Sequence, residues 1–561
     1  MKKYILGLNI GHHDTAAALI RDGELVMFVE QERISRHKMA LGESPAEAIQ
    51  ECLNREGITM ADVTAVSVGM DWKYRNQIYE MSETEKAKYT MYEDPDWFLP
   101  REIFGSCRPP VYSIRHHLSH AASACRLSGF RECAVLVTDN RGEDAAASLG
   151  VYRNGEISFF RQIGIQHSPG IFYNRAARYA GLYGKYREVG KFMGLSSYGR
   201  PVMKMPLSPS RDGRLFSGLE NIDNEGIFAS IGLRTEQLAA YFEENCFPYQ
   251  AGNAEEVMSY ANFAASAQHA LESVILDFAA ELREVTGMDS LAMAGGVALN
   301  CAANGKLADA GLFSHIFVPP FASDAGTAAG SAMELYYRLF GKSRADRPLK
   351  LAGLGCSYTD EETLQALGKY EDQVSFARHD PAALCRIVAK ALSEGLIAGW
   401  VQGGFEAGPR ALGNRSILAD PRSRRSLIRL NQIKDREMWR PIAPSILEED
   451  YSSYFEGDPE FRRFMNVAAL VREDRRHVIP AAVHVDNTAR PQTVSPDQPL
   501  YYGLLRAFRE ITGVPVLCNT SFNQRGEPLV NTPEDALNCF LSRGIDLLVI
   551  GSFVIQRKET A

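Results

Sequence analysis

The sequence lacks the long apolar runs of membrane proteins, since no stretch approaches the roughly 18 apolar residues that span a bilayer. An apolar run does follow Lys2 and Lys3, but polar residues from Gly11 to Asp14 interrupt it and no signal-peptide cleavage site follows. We therefore expect a cytoplasmic protein without a membrane partner.

Paired cysteines and an excess of basic residues are also missing. The 10 cysteines never form a CxxC pair, which excludes a cysteine-type zinc finger. They lie in apolar stretches, as Cys133 and Cys518 do, and this is typical of free thiols in a reducing compartment. The net charge is -8, and nucleic-acid binding depends on a cationic surface, so we predict no nucleic-acid partner. A local basic pocket for a phosphorylated substrate is compatible with this balance.

What the sequence does contain is an internal similarity between residues 4–30 and 133–160. Each segment reads as an apolar strand, a polar turn with Asp, a small-residue strand, a hairpin turn and a third strand. The hairpin turns are Asp22-Gly23 and Asn154-Gly155, which are strong hairpin signals because both positions favour positive φ. The similarity predicts a duplicated α/β domain with mixed sheets, as in actin, chaperone ATPases and sugar kinases. Chance recurrence of a three-stranded meander is the alternative.

At 561 residues the chain exceeds one hydrophobic core. The pattern restarts near residues 353–360, and we expect a domain boundary at about residues 345–355. Apolar periodicity predicts helices over residues 46–56 and 260–285. Residues 201–256 show little pattern and are expected to be irregular, as a substrate cap or a plain surface excursion.

A metal site is predicted from two histidines and two aspartates. His116 and His120 are four residues apart, which places both imidazoles on one face of a helix. Asp139 ends an apolar strand and Asp324 lies in a loop before a small-residue helix. Such a set suits a divalent metal, with iron or zinc favoured. A histidine pair at this spacing is also common as surface decoration, and the residues alone leave that alternative open.

Two further segments are candidates for ligand contacts. Gly295 and Gly296 follow a strand and precede Asn300, so that backbone amides and a side-chain amide could approach a nucleotide, although paired glycines are frequent in ordinary turns.

The second segment is a cationic run, interleaved with glycine at its start, which fits a small polyanion pocket better than a duplex-binding surface. A solvated charged helix over residues 421–436 would account for about half of its arginines, and Arg410 and Arg415 in the glycine loop are the better ligand candidates. Its members are Arg410, Arg415, Arg422, Arg424, Arg425, Arg429, Lys434, Arg436 and Arg440, and Arg490, Asn519, Thr520 and Ser521 add donors.

These segments together resemble the O-carbamoyltransferases of the nodulation-protein, cephamycin and tobramycin type. The matching stretches run in family order over nearly the whole chain, and the combination of GPRALG, KDREMWRP and NTSFN is highly specific. They include GLNIGHHDTAAALIRDGELV, EQERISRHK, HHLSHAASA, LVTDNRGE, GKFMGLSSYG, MAGGVALN, FASDAGTAAG, GPRALGNRSILADP, KDREMWRPIAPS, RPQTV and LCNTSFNQRGEP.

The resemblance implies two modules and two reactions. Residues 1–350 would form a threonylcarbamoyl-transferase-like domain of the actin-like ATPase superfamily, and residues 351–561 a YrdC-like domain. The second would convert carbamoyl phosphate and ATP, with Mg²⁺, into carbamoyl adenylate. The first would transfer the carbamoyl group to a hydroxyl of a small-molecule acceptor, such as an antibiotic or a sugar.

The resemblance also implies roles for individual residues. His13 would be the acceptor-side general base, with the adjacent His12 as the alternative. The metal, expected to be iron with zinc or manganese as alternatives, would bind His116, His120, Asp139 and Asp324. ATP or the adenylate would contact Lys38, Gly295, Gly296 and Asn300. Carbamoyl phosphate would bind Arg410, Arg415, Lys434, Arg440, Arg490, Asn519 and Ser521.

Two other functions are compatible with parts of the sequence. A tRNA threonylcarbamoyladenosine-type enzyme would share both modules, but the acidic balance and the GPRALG and KDREMWRP motifs favour a small-molecule acceptor. A non-catalytic, chaperone-like ATP-binding regulator would not need the metal and anion residues. The sequence identifies neither the acceptor nor the oligomeric state, and a homodimer is compatible with it.

Overall fold

The computed structural model describes residues 2–11, 13–182, 189–222, 225–246, 257–341 and 348–558. The chain divides into two compact units, and a short early segment belongs to the later one. The first unit is Met1–Ser35 with Met39–Leu349, and the second is Arg36–Lys38 with Lys350–Ala561.

The first unit contains two five-stranded sheets with the same topology. The strand orders are β3-β2-β1-β4-β5 and β8-β7-β6-β9-β10, so each sheet has an antiparallel meander followed by parallel strands. The first sheet consists of β1 Tyr4–Asn9, β2 Ala16–Arg21, β3 Glu24–Glu30, β4 Val63–Val68 and β5 Val111–Ser113. The second consists of β6 Cys133–Thr138, β7 Ala145–Arg153, β8 Glu156–Gly164, β9 Ser290–Ala294 and β10 His315–Phe317.

The predicted duplication and the α/β fold class with mixed sheets are confirmed by this topology. Both hairpins have the backbone that their sequences indicate, with φ of 50° and 86° at Asp22-Gly23 and 55° and 85° at Asn154-Gly155. Positive φ at both central residues is the geometry whose twist matches that of paired strands. The turn residues therefore fix the register of each meander.

Helices cover these sheets, and each fifth strand is followed by a helix in an equivalent position. The helix α7 follows β5 and α13 follows β10. The helices of the first unit are α1 Gln31–Ser35, α2 Ala46–Glu56, α3 Trp72–Ile78, α4 Glu83–Thr90, α5 Pro95–Phe98, α6 Arg101–Phe104, α7 His116–Ser128, α8 Pro169–Tyr179, α9 Val189–Ser196, α10 Ile227–Asn245, α11 Ala261–Thr286, α12 Cys301–Asp309 and α13 Gly326–Phe340. Among the described residues, no helix is long and apolar enough to cross a membrane.

The two equivalent helices α7 and α13 pack with their backbones in contact. A Cβ atom on Gly330 of α13 would overlap the carbonyl oxygen of Ser119 in α7. A Cβ atom on Gly7 of β1 would likewise overlap the carbonyl oxygen of Ala328. The first unit thus depends on glycine where α13 meets α7 and the first sheet.

The expectation that residues 201–256 are irregular is wrong for Ile227–Asn245, which form the helix α10. Its buried stripe consists of Ser230, Arg234, Leu238 and Phe242, which are spaced by four residues. Because a serine and an arginine occupy half of this stripe, its apolar periodicity is weak in the sequence. The Arg234 side chain is buried, and its guanidinium donates a hydrogen bond to the carbonyl of Gln166. Residues 223–224 and 247–256 of this segment lie outside the described residues.

The second unit contains an eight-stranded mixed sheet in the order β11-β20-β19-β12-β13-β18-β14-β17. The strands are β11 Val374–Arg378, β12 Ala398–Val401, β13 Arg415–Ala419, β14 Ala443–Leu447, β15 Ala469–Leu470, β16 Thr488–Ala489, β17 Gln492–Val494, β18 Val516–Ser521, β19 Leu547–Ile550 and β20 Phe553–Arg557. The helices are α14 Asp360–Gly368, α15 Pro381–Ser393, α16 Arg424–Ile433, α17 Tyr451–Tyr454, α18 Pro499–Thr512 and α19 Pro533–Ser542. The charged helix expected within residues 421–436 corresponds to α16.

Two helical glycines with different surroundings should respond in opposite ways to substitution by alanine. Gly330 lies at the contact between α7 and α13, and Gly232 lies in open space on α10. Gly330→Ala should lower the free energy of unfolding by about 1–3 kcal/mol, because the new methyl group overlaps the Ser119 carbonyl. Gly232→Ala in α10 should raise it by about 0.5–1 kcal/mol, because nothing lies within 4 Å of the added Cβ. Urea denaturation measures both values, and equal destabilisation of the two variants would contradict the packing described.

Candidate active site

Four side chains from three parts of the first unit converge on one point. His116 and His120 lie on α7, Asp139 directly follows β6, and Asp324 precedes α13, and one ligand atom from each lies within 4.8 Å of all the others. The two Nε2 atoms of the histidines are 3.1 Å apart. His116 Nε2 is 3.3 Å from Asp139 Oδ2 and 3.6 Å from Asp324 Oδ1. Two imidazoles and two carboxylates in this arrangement form a candidate site for a divalent metal.

The neighbouring hydrogen bonds orient these ligand atoms. His116 Nδ1 lies 3.1 Å from the Gly69 carbonyl oxygen, which can only accept, so Nδ1 donates this hydrogen bond and Nε2 is the ring nitrogen that faces the cluster. Asp139 Oδ1 accepts from the Gly296 amide at 3.0 Å, which leaves Oδ2 for the cluster. The Glu143 carboxylate accepts from the backbone amide of His116 at 2.9 Å and therefore holds the first turn of α7.

Both carboxylates of the cluster are held in the ionised form. Burial alone would raise the pKa of Asp324, but interactions with His116 and His120 outweigh it and hold this pKa well below its usual range. Burial and the charge of Asp324 oppose ionisation of Asp139 as well, and the same histidines keep its pKa lowered. His117 is different, because burial lowers its pKa to about 3 and its Nδ1 pairs with the Ser148 hydroxyl at 2.7 Å. It is a neutral packing residue beside the cluster.

His13 lies at the edge of this cluster. Its Nε2 is 3.8 Å from Asp324 Oδ2, its Nδ1 is 3.3 Å from Asp14 Oδ2, and its side chain is 20% exposed. The imidazole therefore lies between two carboxylates and retains access to solvent, as a base for an incoming hydroxyl requires. His12, the alternative base, lies outside the described residues.

The loop that carries His13 is fixed by a side chain that the sequence did not single out. Asn9, at the end of β1, donates through Nδ2 to the carbonyls of His13 at 3.3 Å and Asp14 at 2.7 Å. The single hydroxyl proton of Thr327 is shared between Asn9 Oδ1 at 3.2 Å and the Asp324 carbonyl at 2.7 Å. Asn9 thus connects the His13 loop to the Asp324 loop.

Gly295, Gly296 and Asn300 are used inside the first unit. The amide of Gly295 donates to the Ala322 carbonyl, and its Cβ would overlap the carbonyl oxygen of the residue before Asp139. The Asn300 side chain caps α12 through Ala303 and exchanges two hydrogen bonds of 3.0 Å with Gln268. These bonds give the segment a packing role, and its contact with ATP stays a prediction.

In the second unit, a buried glutamate organises the glycine loop that carries Arg410 and Arg415. Glu406 Oε1 accepts from the amides of Leu412, Asn414 and Arg415 at 2.7–3.0 Å. The Arg415 guanidinium is fully buried and donates to the backbone carbonyls of Gln402, Gly403, Asn414 and Cys356. Arg415 therefore braces the loop, whereas Arg410, in the middle of the loop, is half-buried.

A cluster of positive charges surrounds Arg436, which sequence reasoning had included in the cationic run but had not assigned to a site. Burial, followed by the charges of Arg440 and Arg490, lowers the pKa of Arg436 to about 9. Burial, followed by the charges of Arg436, Lys38 and Arg440, holds the pKa of Lys434 well below its usual range. The contributions of Lys38, Arg440 and Arg490 to these pKa values indicate that several cations lie close together in this part of the second unit.

Lys38 reaches this cluster because its segment is part of the second unit. Residues Arg36–Lys38 are assigned to that unit although they follow α1 in the sequence. The Arg36 guanidinium holds the segment there by donating to the carbonyls of Pro528 and Leu529. Lys38 was expected to face the adenylate within residues 1–350, and the boundary differs from that expectation at these three residues.

Ser521 and Asn519 occupy one face of β18, two residues apart. Lys434 Nζ donates to the Ser521 carbonyl at 2.6 Å and to its hydroxyl at 3.1 Å, and it also contacts Asn523. Asn519 Nδ2 donates to the carbonyl of Ala411, the residue after Arg410, at 3.2 Å. The predicted donor residues of the second unit therefore share one region of its sheet.

Comparison with known proteins identifies the family. The family model for the carbamoyltransferase N-terminus matches residues 4–333, and that for the carbamoyltransferase C-terminus matches residues 389–557. The chain belongs to the carbamoyltransferase family. The predicted family is confirmed, and the chain is a carbamoyltransferase enzyme by this membership.

Two relatives and one solved structure illustrate the similarity. The nodulation protein NolNO of Sinorhizobium fredii is 36% identical over 98% of this chain and 80% of its own length. The 3'-hydroxymethylcephem-O-carbamoyltransferase of Amycolatopsis lactamdurans is 29% identical over 98% of both chains. The activator of 2-hydroxyisocaproyl-CoA dehydratase from Clostridium difficile, solved with ADPNP, is 14% identical over 60% of this chain and 95% of its own, with a TM-score of 0.32.

The convergence of ligands predicts that one substitution removes a bound metal and a neighbouring one does not. His120→Ala deletes a ligand atom and should reduce the metal bound per chain at least about tenfold. His117→Gln, on the same helix, should retain the metal because that imidazole pairs with Ser148 instead. Elemental analysis of both purified variants and the wild type tests this, and full metal content in His120→Ala would contradict the site.

Proposed function

We propose that this carbamoyltransferase works in two ATP-dependent steps on a small-molecule acceptor. In the first, carbamoyl phosphate, ATP and water give carbamoyl adenylate, pyrophosphate and phosphate. In the second, the acceptor hydroxyl attacks the carbamoyl carbon, and AMP and a proton leave. The second unit would perform the first step and the first unit the second.

The cationic cluster of the second unit supports the activation step. Carbamoyl phosphate and ATP are both polyanions, and bringing them together requires positive charge that offsets their repulsion. Lys38, Arg436, Arg440 and Arg490 supply it within a chain whose net charge is -8. We assign the carbamoyl phosphate to this region, with Arg410 in the glycine loop as a further contact.

The observation that carries the transfer step is that His13 and the four-ligand cluster share Asp324. His13 would accept the proton of the acceptor hydroxyl, because histidine titrates near neutral pH and this side chain is accessible. Asp14 would orient the imidazole through Nδ1. A divalent metal held by the cluster would supply Lewis acidity for a carbonyl or phosphoryl oxygen.

A hydroxylated small molecule is the acceptor class that best fits the comparisons. The relative from Amycolatopsis is named for carbamoyl transfer to the hydroxymethyl group of a cephem, a small secondary metabolite. We extend that class to this chain and propose an alcohol group on a small metabolite as its acceptor.

The proposed reaction predicts a defined product. Incubation with ATP, carbamoyl phosphate and a panel of hydroxylated metabolites should yield one acceptor that gains a single carbamoyl unit, detected by mass spectrometry. Omission of ATP should abolish the gain. Consumption of neither ATP nor carbamoyl phosphate with any acceptor would contradict the proposal.

The division of labour predicts different defects for two substitutions. Arg410→Ala should reduce pyrophosphate release at least about 100-fold, because it removes a charged donor from the activation site. His13→Asn should preserve pyrophosphate release and reduce carbamoyl transfer at least about 100-fold, because it removes the base.

The control for charge removal is Arg425→Ala, which deletes an exposed arginine of α16 and should change neither rate. Equal loss of pyrophosphate release in the Arg410 and His13 variants would show that the two steps are not separated in this way.

A further inference from the structure

A buried guanidinium in the segment between β4 and β5 lacks a carboxylate partner. Arg75 of α3 is only 3% exposed, and its guanidinium carbon lies 4.2–5.2 Å from the ring centroids of Trp72, Tyr79 and Tyr89. Among the described residues it forms no ion pair, and it donates to the side chain of the neighbouring Asn76 at 3.3 Å. The aromatic faces offset part of the cost of burying this charge, and an anion beside it would offset more.

A second guanidinium without an ion pair among the described residues lies near the first. Arg141 is half-buried in the turn after β6, two residues beyond the candidate metal ligand Asp139. Its charge acts together with burial to lower the pKa of Arg75. The charges of Arg75 and Arg141 also act on the buried Tyr79, where they oppose the rise that burial causes in the pKa of the phenol. Both arginines are therefore neighbours of one hydroxyl group.

Two neutral donors at the same place lack an acceptor. Trp72 Nε1 and the Tyr79 hydroxyl are buried, and neither has a hydrogen-bond partner among the described residues. An indole N–H can only donate, and a phenol hydroxyl can donate as well as accept. Buried polar groups without partners are destabilising, and they occur where a ligand supplies the partner. These charged and neutral donors suit a carboxylate or a phosphate, and we call them the Arg75 donor set, defined by Arg75, Arg141, Trp72 and Tyr79.

The carboxylates whose charges reach this region are engaged with other groups. They are Glu143 and Asp144, and both act on the pKa of the same phenol. Glu143 Oε1 accepts from the backbone amides of His116 and Asp71 at 2.9 Å each. Asp144 pairs with the Arg115 guanidinium at 2.7 Å. Neither carboxylate forms an ion pair with the two arginines of the donor set, whose positive charge is therefore left for a ligand.

The Arg75 donor set lies beside the candidate active site. The Trp72 ring contacts the loop that carries His13, because a Cβ atom on Gly11 would lie 2.9 Å from Trp72 Cζ2. The backbone before Trp72 is also held to the site, since the Asp71 amide shares the Glu143 carboxylate with the first turn of α7. A small molecule bound by the donor set would therefore have the rest of its structure close to the His13 loop.

We propose that the Arg75 donor set binds a carboxylate or phosphate group of the acceptor, so that the acceptor of this chain is an anionic alcohol. The inference rests on the proposed function and narrows its acceptor class. The bound anion would orient the acceptor hydroxyl towards His13, and it would add affinity that a neutral alcohol lacks.

Matched pairs of acceptors test the proposal. Each hydroxy acid of the metabolite panel is paired with its amide, and each sugar phosphate with the free sugar. With ATP and carbamoyl phosphate present, the wild type should carbamoylate the anionic member at least about 30-fold better in kcat/KM, since a site with unpaired charged donors rejects a molecule without the matching charge. Comparison of hydroxy acids with sugar phosphates identifies the anion. A best acceptor that is neutral or cationic would overturn the inference.

Two variants attribute this preference to the arginines. Arg75→Met and Arg141→Gln should each lower it at least about 10-fold through a higher KM for the anionic acceptor, because each removes a charged donor. Pyrophosphate release should stay unchanged, since the acceptor takes no part in the activation step. The ratio of two acceptors is insensitive to the fraction of folded enzyme, so a merely structural defect would not change it.

The matched control is Arg101→Gln, which removes an exposed arginine of α6 that pairs with Asp96 and should keep the preference. Equal losses with both members of an acceptor pair would assign Arg75 and Arg141 to the adenylate or to the fold, and would contradict the inference.

Binding of the anion can also be followed without turnover. The chain has 4 tryptophans, so the fluorine resonance of Trp72 in protein labelled with 5-fluorotryptophan is assigned by its loss in Trp72→Phe. Sodium acetate or sodium phosphate should shift this resonance to saturation in the wild type, and Arg75→Met should abolish the shift. A resonance unaffected by both anions would rule out the donor set and leave the proposed function intact, whereas a chain that consumes neither ATP nor carbamoyl phosphate would overturn the proposed function.

Discussion

The candidate metal site depends on the backbone contact between α7 and α13. His116 and His120 lie on α7, and Asp324 directly precedes α13, so the distance between these helices sets the distance between their ligand atoms. Any side chain larger than hydrogen at Gly330 would push the helices apart. A metal site tolerates displacements of only a few tenths of an ångström in its ligands, and this contact is therefore a constraint on chemistry as well as on packing.

The features that the sequence predicts well are those with local causes. The turns Asp22-Gly23 and Asn154-Gly155 specify their hairpins within two residues, and the meanders and the duplication follow from them. The helix α10 could not be predicted in this way, because Arg234 lies in its buried stripe and is satisfied by a carbonyl distant in the sequence.

For the site residues, too, the sequence predicts local relations but not contacts between distant segments. The spacing of His116 and His120 predicts that they share a helix face, but their convergence with two distant aspartates requires the tertiary structure. The sequence singles out Arg415 as a candidate ligand contact because it lies in a glycine-rich segment. In the structure its guanidinium donates to four backbone carbonyls and so stabilises that loop. Arg436 is one of nine basic residues in the cationic run, and the sequence gives no reason to select it. Its burial and its charged neighbours, which lower its pKa, distinguish it in the structure.

Duplication gives the first unit two equivalent turns that carry different residues of the candidate site. The turn after β1 carries His13 and the turn after β6 carries Asp139, and these are corresponding positions in two sheets of one topology. Through Asp324 the two turns meet at a single cluster, where His13 and the candidate metal ligand His116 approach different oxygens of the same carboxylate. Asn9 also connects the two loops, because it donates to the His13 carbonyl and accepts from the Thr327 hydroxyl, whose proton is shared with the Asp324 carbonyl. A displacement of one turn would therefore shift the other, so the position of His13 is coupled to that of the candidate metal ligands.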